Sequence, residues 1–205
     1  MLVGMIEIDT IHTFEDEGFL KSTAHASWAV ALVGAVAAAV LASAPGFYDG
    51  TPETAFFEGI TDGWGAVAST LAFVGALLAG TVACLFVHEL VHGVFFKALA
   101  PRGSRVTFGA RLDMGMFYAC ADGIVFTRRA YLAAVLAPTF VVTMLCAVAA
   151  VAVGWPALAS FAGVLHLAGC TGDWCYAARI LRDRRILACE DTSWGVRFLG
   201  RDDAA

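Results

Sequence analysis

Residues 66–93 read AVASTLAFVGALLAGTVACLFVHELVHG. The part from 66 to 87 contains no Asp, Glu, Lys or Arg, and the stretch that follows, GVFFKALA, is again mostly apolar. A run of this length matches the roughly 20 apolar residues that cross a hydrocarbon core. Two histidines and a glutamate at its end are costly there, because ionisable groups inside a membrane span carry a penalty of a few kcal/mol. Their presence needs a chemical reason.

Working outward, the same character fills the chain. Of 205 residues 60% are hydrophobic and only 15% charged, against about 25% charged in a typical soluble domain; the mean hydropathy is +0.75. These values predict an all-α integral membrane protein with about four transmembrane helices, near 26–44, 63–96, 130–153 and 155–178, in a single multi-pass domain covering 1–205. Residues 1–25 read as an acidic N-terminal tail and 179–205 as a basic C-terminal tail. The N-terminal tail, with Glu7, Asp9, Glu15, Asp16 and Glu17 against Lys21 alone, is unlike a secretory signal, which opens on a basic region.

Charge sets the expected orientation. Residues 97–129 carry Lys97, Arg102, Arg105, Arg111, Arg128 and Arg129, and the tail from Arg179 carries six more, whereas 46–62 has none. The positive-inside rule then places the 97–129 segment and both termini in the cytoplasm, with the protein in the cell membrane. Within that segment, SRVTFGARLD and MFYACADGIVF flank a Met114-Gly115 break and predict a short cytoplasmic β-like hairpin between helices 2 and 3. Its arginines suit lipid head groups. The net charge of −5 gives no reason to expect a nucleic acid partner. Six cysteines without a CxxC pair read as small packing residues.

The polar cluster at the end of the second span has the form His-Glu-x-x-His. Residues four apart share one helix face, so His88 and His92 can hold one metal ion together. Glu89 is displaced around the helix and suits a general base acting on a metal-bound water. A catalytic zinc site needs a third protein ligand. The fourth span, with HLAGCTGDWCYAAR, offers His166 and Asp173, seven residues apart. Asp173 lies six residues before Arg179, much as His92 lies five before Lys97, so it should sit level with the histidines. His166 would lie about 10 Å farther toward the outside. Asp173 is therefore the first choice of third ligand, and His166 the second, or a polar neighbour of the site. The bland alternatives are an interfacial polar cluster for HELVH and a carboxylate paired with Arg179 or Arg182 for Asp173.

HELVHGVFFK, a strand-like segment, the LAP of 136–138 and then GCTGD together resemble a membrane family of zincin peptidases. More distantly they resemble intramembrane metalloproteases of the site-2-protease type. The resemblance covers roughly residues 60 to 185. It implies Zn²⁺ as cofactor, His88, His92 and Asp173 as ligands, and Glu89 as catalytic base. Site-2 proteases carry an Asn-Pro-rich run ending in Leu-Asp-Gly around their aspartate, where this chain has HLAGCTGDW. The expected function is a membrane-embedded zinc metallopeptidase with its active site near the cytoplasmic side, acting on a peptide or membrane-protein substrate. The competing class is a non-catalytic metal-binding membrane scaffold, or a degenerate peptidase. A transporter fits less well, since four helices without a repeat show no paired halves.

Overall fold

The computed structural model describes residues 4–44, 46, 49–60, 63–111 and 116–201. It is mostly helical, 65% of the chain, with two small antiparallel sheets. In chain order the elements are β1 (Met5–His12), α1 (Glu17–Ala42), α2 (Pro52–Glu58), α3 (Gly63–Leu99), β2 (Thr107–Arg111), β3 (Met116–Cys120), β4 (Ile124–Thr127), α4 (Arg128–Val153), α5 (Pro156–Gly169), α6 (Thr171–Arg182), β5 (Ala188–Thr192) and β6 (Gly195–Arg201). Helices α1, α3 and α4 are long and apolar enough to cross a membrane. Trp28 and Leu32 on α1, Leu71, Leu78 and Phe86 on α3, and Phe140 and Met144 on α4 are all exposed. Exposed apolar surface of that extent suits lipid and is foreign to water.

Four expectations are corrected. The first helix begins at Glu17, not 26, because the Asp16 carboxylate accepts the Phe19 amide at 2.9 Å and caps it. The span expected at 155–178 is two helices separated at Cys170. The apolar half, α5, has 14 residues and covers only about 21 Å, short of a crossing. The other half, α6, carries Asp173, Arg179 and Arg182 and buries the stripe Thr171, Ala177 and Ile180. Third, the termini are not tails: β1 pairs with β6, and the sheet runs β1-β6-β5-β4. Fourth, these sheets make the chain something other than all-α. Strands β2 and β3 pair antiparallel between α3 and α4, while the Met114-Gly115 break lies outside the described residues.

The chain divides into two compact units, neither of them continuous in sequence. One comprises Met1–His25, His88–Pro138 and Cys170–Ala205. Its core joins Phe96 of α3, Tyr131 and Ala134 of α4, and Ile180 of α6 to Phe126 and Phe198 on the four-stranded sheet. Arg179 clamps Asp9 of β1 through Nε and Nη2, both at 2.6 Å, which ties α6 to the N-terminal strand. The other unit comprises Ala26–Val87 and Thr139–Gly169. There the side chain of Glu53, 2% exposed, accepts the amides of Ala157 at 2.7 Å and Leu158 at 3.0 Å. These are orphan donors at the start of α5, so a buried carboxylate is satisfied where the helix dipole favours it. Gly34 leaves the room that the side chain of Val164 occupies.

Candidate metal centre

The last three turns of α3 carry His88, Glu89 and His92, and α6 carries Asp173 in its first turn. All four belong to the first unit. The imidazoles meet at Nε2, 3.0 Å apart. Asp173 approaches them with Oδ2 3.1 Å from His88 Nε2 and Oδ1 3.5 Å from His92 Nε2. The His88 and His92 side chains are each 9% exposed and that of Asp173 is 16% exposed. The break at Cys170 starts a fresh helix two residues before Asp173, so its carboxylate also sits in a first turn, where negative charge is favoured.

The far side of each imidazole is held. His92 Nδ1 lies 3.1 Å from the Ala134 carbonyl of α4, and His88 Nδ1 lies 3.8 Å from Cys170 Sγ. With the ring proton of each histidine on Nδ1, where it serves those partners, both Nε2 atoms are left as acceptors. Asp173 Oδ2 is buried and accepts no hydrogen bond, although His88 Nε2 is near. In that tautomer three lone-pair atoms converge on one point, an arrangement that a cation satisfies. Tetrahedral zinc with ligands at about 2.0–2.2 Å sets them roughly 3.3–3.6 Å apart. The observed 3.0 to 3.5 Å differs from that by a few tenths of an ångström.

Glu89 stands beside this point without joining the ligand trio. Its Oε2 accepts the backbone amide of Ala119 at 2.7 Å, and its Oε1 lies 4.0 Å from His88 Nε2. One turn on, Gly93 lacks the Cβ that would collide with the Phe108 ring. Phe108 and Ala119 face each other across β2 and β3. The strand pair is therefore seated on α3 at two adjacent turns through one cross-strand pair. Only alternate residues of an antiparallel strand bond to the partner, and the Ala119 amide turns the other edge of β3 toward Glu89.

His166, the second choice of ligand, is buried on α5 in the other unit. Sequence reasoning placed Cys170 on the face shared by His166 and Asp173 but missed three other supports of the site: Ala134, Ala119 and Asp191. The first two act through a backbone group and carry no pattern. Asp191 on β5 accepts the Ala121 amide at 2.9 Å and the Tyr131 hydroxyl at 3.1 Å, anchoring the chain just after β3. Burial raises its carboxyl to about 6. It sat among charges taken for a solvated tail, and nothing local marked it.

Residues 81–186 match the family described as "Putative zincin peptidase". That stretch covers α3 from about two turns before His88, the strand pair, and Asp173. No curated protein and no solved structure is significantly similar to the chain.

Proposed function

The chain belongs to the family described as "Putative zincin peptidase", and on that premise we propose that it is a membrane-embedded zinc metallopeptidase. The observation that carries this reading is the convergence of His88, His92 and Asp173 on one point, with a buried and unsatisfied Asp173 oxygen and a glutamate alongside. The three side chains would hold the ion. When bound, zinc supplies a Lewis acid that activates water and polarises the scissile carbonyl. Glu89 takes the proton from the attacking water and returns it to the leaving amine. The Ala119 amide fixes Oε2 of Glu89, which leaves Oε1 to face the ligand pair. The 104–126 segment is the candidate substrate clamp, which would take an extended peptide as an extra strand. The active site would lie near the cytoplasmic side, with both termini in the cytoplasm, and act on peptides or membrane-protein segments.

The test combines metal and activity. Purified protein is expected to carry about one zinc per chain and to cleave a panel of peptides and membrane-anchored fusions. Cleavage should vanish on chelation and return with zinc, and His92→Ala should hold no metal. A chain that holds zinc yet cleaves nothing in the panel supports the non-catalytic metal-binding scaffold. A chain that holds no zinc removes both readings.

A further inference from the structure

Proline in the body of a helix is costly because it has no amide hydrogen, and the carbonyl four residues earlier loses its partner. Pro138 lies inside α4, fully buried. The carbonyl that it leaves without a helical donor is that of residue 134. The same Ala134 carbonyl lies 3.1 Å from His92 Nδ1, the nitrogen that faces away from the metal-binding point. In apolar surroundings a freed carbonyl must find another donor, and membrane helices tolerate proline where a neighbour supplies one. Here the neighbour is the candidate ligand itself.

We infer that Pro138 is a positioning residue of the metal centre: by withholding its amide hydrogen it reserves the Ala134 carbonyl for His92. This rests on the metal-site reading above. A carbonyl already engaged in a helical bond accepts a second donor less strongly and from a narrower direction. One freed by proline presents its lone pairs sideways from the helix to the imidazole. The His92 proton is thereby fixed on Nδ1, and Nε2 is left as a lone pair aimed at the ion. The inference also gives the LAP at 136–138 a chemical meaning. Its proline matters for the amide hydrogen that it lacks, and the residue it serves stands four positions earlier.

The test opposes two signs. Pro138→Ala restores an amide hydrogen, which competes with His92 for the Ala134 carbonyl. It also removes a residue that is poor in helix interiors, so a merely structural proline predicts equal or higher thermal stability and unchanged metal affinity. The inference predicts equal or higher stability together with a 10- to 100-fold weaker zinc affinity by chelator competition, the usual cost of losing an outer-shell partner. Replacing residue 138 with lactic acid gives the shape of alanine with an ester oxygen in place of the amide. That variant should recover the parent's zinc affinity. Zinc affinity within twofold of the parent in Pro138→Ala overturns the inference, as does a lactic acid variant no better than alanine. A third measurement covers a parent that holds no zinc, the outcome that sinks the metal-site reading by itself. In the metal-free chain labelled with nitrogen-15 histidine, His92 should show one tautomer protonated at Nδ1, and Pro138→Ala should show a mixture. The same single tautomer in both chains refutes the inference.

Discussion

Glu89→Gln is the perturbation that best separates holding a metal from using it. Glutamine keeps the length of the side chain, and its amide oxygen can still accept the Ala119 amide now 2.7 Å from Oε2. What changes there is a charge-assisted bond becoming a neutral one. The difference is about 1 kcal/mol, since bonds to charged groups are worth about 1.5–3 kcal/mol and neutral ones about 0.5–1.5. For a chain of this size that lowers the thermal midpoint by about 2–4 °C. The loss of the base is far larger. General bases contribute roughly 10²–10⁴ in rate, or about 3 to 5 kcal/mol of transition-state stabilisation. Because Glu89 is not one of the three converging ligands, zinc content should stay at about one per chain. The assay pairs metal analysis with initial cleavage rates on the same purified, detergent-solubilised sample, with His88→Ala as the ligand-deletion control. Loss of zinc from Glu89→Gln as complete as from His88→Ala would refute the division of roles. So would a rate loss below tenfold with zinc retained.

Asp173→Asn should lower zinc affinity by at least tenfold while leaving the fold intact, checked by chelator competition beside circular dichroism. The Asp191 carboxyl, raised to about 6 by burial, binds its proton more tightly in the folded than in the unfolded chain. Its contribution therefore favours folding fully below pH about 4 and is lost as pH rises through about 6. Relative to the parent, Asp191→Asn should gain up to about 3 kcal/mol between pH 4 and 7 in denaturation of the metal-free chain; a flat difference would count against the buried-carboxylate reading. Glu53→Ala leaves two amides at the start of α5 without their acceptor and should cost about 1–3 kcal/mol, read as a drop in thermal midpoint. A thiol placed at Asp49, which is exposed, should react with an impermeant reagent from outside, and one at Arg128 should not; the reverse would move the site to the other face.

The length and apolarity of α1, α3 and α4, enough to cross a membrane, and the His-Glu-x-x-His pair were legible because they are local. Hydrophobic run length and a four-residue spacing on one helix depend on nothing elsewhere in the chain. The choice of Asp173 over His166 drew on counting residues to the flanking charges, which places a residue in depth but not around a helix. Only the tertiary structure decided that the fourth apolar segment breaks at Cys170 and that Asp173 opens a new helix facing the imidazoles. It alone turned both supposed tails into strands, since the partner of residue 5 is residue 201 and that pairing leaves no periodicity in either segment. The supports of the site were hidden for a related reason. A backbone carbonyl at Ala134, a backbone amide at Ala119 and a carboxylate at Asp191 acquire their roles from what the fold brings within 3.1 Å. Pro138 stands between the two cases. Its missing hydrogen is written in the sequence, but which donor takes up the freed carbonyl is settled only by packing.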